Sequence, residues 1–216
     1  DEGDPFNTLL HNKTINKLKS KNIFKTVKSE VKEGSTKGLK IINLTVEEKP
    51  TGEITAGAGF GTQGSTFMFG IKENNFKGEG VMLDTNLSIN EESLKGKFAY
   101  TTPNFRYSDR SLTTTIESST LDREQDFGYK SSKNRFELGT GFEQANDLFV
   151  NLDISNYYEK LETSDKATDI KKKQEGDYFE NLVSYSLVLN KLDQNYQPSD
   201  GYLTRFSQTF PLYSDD

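Results

Sequence analysis

Leu148-Phe149-Val150-Asn151-Leu152-Asp153-Ile154-Ser155 alternates strictly from Val150 onward, Phe149 alone putting an apolar group on the other face. Leu148, Val150, Leu152 and Ile154 are aliphatic, while Asn151, Asp153 and Ser155 are polar. In an extended strand successive side chains point to opposite faces, so a period of two separates the sets completely. The stretch is therefore read as a strand with one apolar face and one amide- or carboxylate-bearing face.

The same pattern spreads in both directions. Upstream, Phe136, Leu138 and Phe142 oppose Arg135, Glu137 and Glu143, and Leu112 and Ile116 oppose Thr113, Thr115 and Glu117. Leu94, Phe98 and Tyr100 alternate with Lys95, Lys97 and Ala99, and Val81, Leu83, Leu87 and Ile89 with Met82, Asp84, Asn86 and Ser88. Phe67, Phe69 and Ile71 form an earlier apolar face, and Ile54, Ala56, Ala58 and Phe60 alternate with Thr55, Gly57, Gly59 and Gly61. Downstream come Val183, Tyr185, Leu187 and Leu189, then Tyr202, Phe206 and Phe210. About nine strands in a row with no helix between them imply an antiparallel meander.

A soluble sandwich would turn the polar faces to water outside. A membrane barrel would turn them to its lumen and put the apolar faces on lipid. Composition favours the barrel. Only 32% of the 216 residues are apolar, with a mean hydropathy of −0.76, yet 12% are Phe or Tyr, unlike a disordered tail. No apolar run reaches the roughly 18 residues of a membrane helix, but a barrel strand needs only about 9–11. With no cysteine, disulfides and thiolate metal sites are excluded, and a net charge of −6 argues against a nucleic-acid partner. The chain begins at Asp1 without Met or a signal peptide and reads as a fragment.

Residues 1–49 read differently. Asn7 or Thr8 can cap a helix running to about Lys19, with Leu10, Thr14 and Leu18 on one face and Asn22 as its stop. Two strands follow, about Phe24 to Lys32 and Leu39 to Glu48, joined by the polar loop Glu33–Gly38. Val27, Ser29 and Val31 share one face of the first; Ile42, Leu44 and Val46 share one face of the second. One helix and one hairpin bury little, so more of this unit is expected before Asp1. Pro50-Thr51-Gly52 marks the boundary with residues 50–216. The connections among the later strands fall into two alternating sets, and Leu161–Asp177, with Lys171-Lys172-Lys173, is the most polar.

Three segments carry a family resemblance. Leu18 through Val27 resembles the helix-to-strand join of a POTRA domain, with Asn22-Ile23-Phe24 where the family has a Gly-Phe-Phe-like turn. Glu47-Glu48-Lys49-Pro50-Thr51-Gly52, leading into Gly57-Ala58-Gly59-Phe60-Gly61, resembles the link from the last POTRA domain into the first barrel strand. Asp193, followed by Pro198-Ser199-Asp200-Gly201, resembles a periplasmic turn typical of the superfamily. The chain is thus similar to the POTRA-barrel superfamily of outer-membrane proteins, and most of all to its assembly factors. The resemblance implies a mainly β chain, with the C-terminal part of a POTRA domain at 1–49 in the periplasm and the N-terminal half of an up-and-down transmembrane barrel at 50–216. It also implies a non-enzymatic role without cofactor or metal: assembly and insertion of β-barrel proteins, with nascent outer-membrane proteins, accessory lipoproteins and membrane lipid as partners.

The resemblance assigns sites as well. Gly52, Glu53, Ile54, Thr55, Ala56, Gly57, Ala58, Gly59, Phe60 and Gly61 would form the strand at a lateral gate that templates incoming strands. Phe24, Lys25, Thr26, Val27, Lys28, Ser29, Glu30 and Val31 would form a POTRA edge receiving extended substrate by β-augmentation. Glu2 matches a position that meets a partner lipoprotein; the plainer reading is a solvated turn carboxylate.

Other patterns carry less. Gly59-Phe60-Gly61-Thr62-Gln63-Gly64 is a literal G-x-G-x-x-G, but a dinucleotide site needs a helix after it and a strand is expected. The single histidine, His11, lies at the margin of the helix's apolar face and is read as packed or surface. Asp193-Gln194-Asn195 opens like a calcium loop and fails where Pro198 replaces the required glycine. Asp84, Glu117, Glu137, Glu143 and Asp153 could form acid pairs, though a solvated lumen face explains them better. Two other functions fit the pattern: a secretion or transport pore of the same superfamily, which would conduct ions, and a structural soluble β protein, which would stay monomeric without detergent. A half-barrel has two open edges, so this stretch by itself is expected to aggregate.

Overall fold

The computed structural model describes residues 3–36, 38–61, 64–193 and 198–215. They form two units, Asp1–Gly52 and Glu53–Asp216.

In the first unit Asn7 caps helix α1 (Thr8–Ser20): its Oδ1 accepts from the Leu9 and Leu10 amides at 2.9 and 3.2 Å. This satisfies two of the N–H groups a helix start leaves unpaired. Asn22, at φ +58°, takes the left-handed turn after the helix, which Asn tolerates better than other residues with a β-carbon. Strand β1 (Phe24–Glu33) then pairs antiparallel with β2 (Lys40–Glu48). Val27 faces Val46, Ser29 faces Leu44 and Val31 faces Ile42, so the two expected apolar faces coincide.

The second unit is one sheet of nine strands: β3 (Gly52–Gly61), β4 (Gly64–Phe76), β5 (Val81–Ile89), β6 (Ser93–Thr102), β7 (Arg110–Arg123), β8 (Tyr129–Ala145), β9 (Leu148–Thr163), β10 (Gly176–Asn190) and β11 (Leu203–Ser214). Each strand neighbours the next in sequence, so the sheet is the expected meander. It is a barrel wall that does not close within this chain, since β3 and β11 end the order.

The connections are less extended than the sequence suggests. A 3-10 turn at Phe105–Tyr107, helix α2 (Glu124–Phe127) and helix α3 (Asp169–Lys173) interrupt a series read as free of helices. None outlasts two turns, so the meander is unaffected. The strands also run on beyond their apolar stretches. Gly176 to Glu180 pair with Leu161 to Tyr157, so the ladder reaches into both ends of the segment read as the loop Leu161–Asp177. Tyr157-Tyr158 and Tyr178-Phe179 put an aromatic on each face there and charges stand beside them, so no clean period of two shows.

Which face is inside follows from burial. A single layer covers neither face, so one face is sheltered only if the sheet curls towards it. Thr115 and Ser155 are 5% exposed, whereas their chain neighbours Ile116 and Ile154 are 52% and 51% exposed. The polar face is concave and the apolar face convex, the reverse of a soluble protein and the arrangement of a barrel in lipid.

The registers yield the strand tilt. Phe67, Phe69 and Ile71 form the outward apolar run of β4; Val183 to Leu189 form that of β10. The ladder row through Phe67 reaches β10 at Asp177, six residues before Val183; the row through Ile71 reaches it at Asn181, eight before Leu189. At about 3.3 Å per residue and 4.8 Å per strand, the band drifts about 20–26 Å over about 29 Å of width. A level band then requires a tilt of about 35–42°, within the range that closes membrane barrels.

Gly70 sits on the concave face where side chains from both neighbours converge. A β-carbon there would lie 2.6 Å from Thr55 Oγ1 and 2.9 Å from Asn86 Oδ1. Gly70→Val should lower stability by about 1–3 kcal/mol through overpacking. Gly59→Val, where a β-carbon meets nothing within 4 Å, should change it little. Urea midpoints of the intact protein refolded in vesicles compare the two.

Candidate functional site

Strand β3 borders the sheet. Among the described residues it pairs with β4 on one side and with no strand on the other. Its convex side carries Ile54, Ala56, Ala58 and Phe60, with Ile54 72% and Phe60 90% exposed. Its concave side carries Glu53, Thr55, Gly57, Gly59 and Gly61. These last three glycines are not there for lack of room. A β-carbon on Gly59 or Gly61 would meet nothing within 4 Å, and one on Gly57 would make ordinary contact with Met68 Cε at 3.7 Å. Nor does the backbone require them, since none of the three has a positive φ. What remains is their effect on the strand: glycine gives it no side chain to pack and raises the entropy lost on pairing. The following segment is β4, not a helix, so the glycine pattern builds no phosphate cradle.

The other expected positions fall as follows. Phe24 to Val31 lie in β1, paired on one side with β2 and facing α1. Along its other edge no strand pairs among the described residues. His11 is a packing residue: its Nε2 lies 2.8 Å from Ser29 Oγ and its ring 5.8 Å from that of Phe6. Glu2 lies outside the described residues, as do Gln194 and Asn195 of the supposed calcium loop. Asp193 has a structural task instead: its carboxylate accepts from Ser199 N at 3.1 Å and Ser199 Oγ at 2.6 Å. Gly201, at φ +99°, lies so close to the Lys191 backbone that any β-carbon would collide. At the same end Lys191 Nζ donates to Asp147 at 2.8 Å, clipping the β10–β11 turn to the β8–β9 turn. That hydrogen bond holds the Lys191 ammonium above its ordinary pKa.

The carboxylates sort by register. Asp84, Glu117, Glu137 and Asp153 are on the concave face, and Glu143 sits near the β8–β9 turn, accepting from the Asp147 amide at 3.1 Å. Glu117 and Glu137 are not a bare acid pair. Arg135 lies between them, donating to Glu117 at 3.1 Å and to Glu137, and Ser155 Oγ donates to Glu137 at 2.8 Å. The Arg135 guanidinium and the Lys133 ammonium also lie over the Tyr157 ring, 5.5 and 5.0 Å from its centroid. Sequence reading saw Glu117, Arg135, Glu137 and Ser155 on polar faces but not the network, because cross-strand partners follow only from register. A shallow concavity of about 590 Å³ beside it is lined by Gly57, Met68, Asn86, Lys95, Lys97 and Glu117, among others.

A one-layer curled meander with a polar interior and a glycine-thinned border is a particular barrel wall. Residues 75–215 match the family model of the Omp85 superfamily domain. The chain belongs to the Omp85 superfamily. It is 28% identical over 174 residues to the outer membrane protein assembly factor BamA of Neorickettsia risticii (strain Illinois), a match covering 79% of this chain and 23% of that protein. Its fold is similar to that of Haemophilus ducreyi BamA in a crystal structure lacking POTRA domains 1–3. There the TM-score is 0.69 and the identity 22%, over 98% of this chain and 44% of that one. The chain thus spans under a quarter of the curated relative and under half of the solved one.

Arg135→Leu leaves two carboxylates facing each other across the concave wall. With these side chains 18–35% exposed, water screens part of the loss. The expected cost is about 1–3 kcal/mol, largely recovered when Glu117→Gln and Glu137→Gln are added. Urea unfolding of the intact protein in vesicles measures both.

Proposed function

We propose that this Omp85 chain takes part in the assembly and insertion of β-barrel proteins into the bacterial outer membrane, with β3 as a templating strand at a lateral gate. The observation that carries the proposal is the border at β3. Among the described residues it pairs on one side only, and it is thinned by glycines that neither packing nor backbone geometry demands. An open edge is a template for strand addition, where main-chain hydrogen bonds supply affinity whatever the client's side chains are. The similarity to BamA supports the same role. No nucleotide or metal enters it, because a client strand that pairs and meets lipid releases free energy by itself.

Residues 1–49 are proposed as the end of a POTRA domain on the periplasmic side, continuing into the barrel at 50. On this reading β3 enters the sheet at its periplasmic end, which also holds the turns after β4, β6, β8 and β10. The edge of β1 at Phe24 to Val31 receives extended clients by β-augmentation before they reach β3. Accessory lipoproteins are the proposed partners of this side, with Glu2 a candidate contact, and outer-membrane lipid surrounds the barrel.

The chain has no cysteine, so engineered thiols within it are unambiguous. Cysteines replacing Ala56 or Ala58, each oxidised to one on the barrel's closing strand, should block insertion of a model client and restore it on reduction. Unchanged insertion with the seam locked would sink the gate. A second variant separates gate from scaffold: Gly57→Val with Gly59→Val should leave the barrel folded and slow client insertion several-fold.

A further inference from the structure

The convex face carries a feature that a lipid-facing wall does not need. In four consecutive strands the outward residue next after the apolar run is small and polar: Ser118 in β7, Asn134 in β8, Asn156 in β9 and Asn181 in β10. Each stands two residues beyond an outward apolar side chain: Ile116, Phe136, Ile154 and Val183 respectively. Ser118 is level with Asn134, and Asn156 with Asn181. Between the pairs the line drops by two residues, because Asn134 is level with Tyr158. That step has the direction in which the tilted apolar band descends, so the four make a line roughly parallel to the membrane plane.

Their bonding fits a polar boundary. Ser118 Oγ donates to Asn134 Oδ1 at 2.8 Å, and Asn181 Nδ2 donates to Asn156 Oδ1. Each amide offers two donors and two acceptor sites, so these bonds leave capacity for other polar groups. Beyond the line the convex face turns ionic, with Lys130 3.4 Å from Asp122 and Lys160 2.6 Å from Glu162. Between the line and these charges stand Tyr158 and Phe179, the aromatics expected at head-group level.

The apolar run is correspondingly short. From Leu148 to Ile154 the outward backbone rises about 20 Å along the strand, or about 15 Å across a membrane at the tilt derived above. One more residue at each end brings this to about 20 Å, against the about 25 Å usual for membrane barrels. Placing the aromatics at the acyl edge instead would sink the amides in hydrocarbon, where their unused donors and acceptors are costly.

We propose that along β7–β10 the acyl layer ends at this amide line. Head-group and glycerol atoms of the lipid leaflet on the side of the β7–β8 and β9–β10 loops then contact Asn134, Asn156 and Asn181. This rests on the reading of the sheet as a membrane barrel and is independent of the assembly activity.

The test uses the intact protein with single cysteines at Leu152, Ile154, Asn134 or Asn156, each carrying an environment-sensitive fluorophore. The proteins are reconstituted in phosphatidylcholine vesicles containing lipids brominated at defined depths. Leu152→Cys and Ile154→Cys labels should be quenched best by deep bromines, and Asn134→Cys and Asn156→Cys labels by shallow bromines only. Asn156→Cys quenched as deeply as Ile154→Cys would overturn the proposal while leaving the barrel standing. A Leu152→Cys label quenched at no depth would overturn the membrane reading itself.

Discussion

Hydrocarbon offers no hydrogen bonds, so every backbone amide and carbonyl at membrane depth must find its partner within the protein. A strand cannot meet this demand alone, because its polar groups point sideways to its neighbours. The chain answers with nine consecutive strands, each laddered to the next. Connections can be as irregular as the Phe105–Tyr107 turn or the α3 segment because they lie at the ends of the strands. The same demand explains why the borders matter most. Only at β3 and β11 does the ladder stop within the described residues.

A wall one sheet thick has no hydrophobic core, and this one shows what replaces it. Fully buried large side chains are missing from the described residues, while aromatic and aliphatic groups stand exposed along the convex face. In lipid that exposure costs nothing. The concave face must then be stabilised by polar contacts, and Arg135 is central there: its guanidinium bridges Glu117 and Glu137 and stacks on Tyr157. Such a network contributes less than its bond count suggests, because its members are partly hydrated and would be solvated in the unfolded chain as well. It does oppose a one-residue slip of β7 against β8, which would put Arg135 and Glu117 on opposite faces of the sheet.

Period-two alternation made the wall legible from sequence. Leu148 to Ile154 could be assigned because each side chain has one face to belong to and only two faces exist. The continuations Gly176 to Glu180 and Glu159 to Thr163 could not, because Tyr178-Phe179 puts an aromatic on each face and Lys160 and Glu162 put charge on the face that is apolar at Ile154, so the period breaks down. The helical turns at Glu124–Phe127 and Asp169–Lys173 are too short for a 3.6-residue period to show. At the candidate site the glycines of β3 were visible, but their meaning was not. Packing could have required them, as it does at Gly70, and only the empty space beside Gly59 and Gly61 separates the two cases. The Arg135 network and the amide line stayed hidden for one shared reason: both depend on cross-strand partners 16 or more apart in sequence that meet only through the register.

Strands β3 and β11 are held to their neighbours in different ways. Strand β11 is fastened to β10 by side chains. Tyr185 stacks on Phe210 with centroids 6.1 Å apart, lies 5.8 Å from Phe206 and donates its hydroxyl to Gln208 at 3.0 Å. Cross-strand aromatic pairs of this kind each add roughly 0.2–1 kcal/mol to the ladder. Strand β3 has glycine at four of its ten positions, alanine at two, and no aromatic pair with β4 among the described residues. Its hold on the sheet is therefore nearly all main chain. On the proposal that β3 also templates client strands at its other edge, the same lack of side chains leaves main-chain bonds to do the pairing, and these any sequence can form. For that proposed role glycine suits β3 better than tyrosine would, because a strand bare of side chains asks little of its partner's sequence.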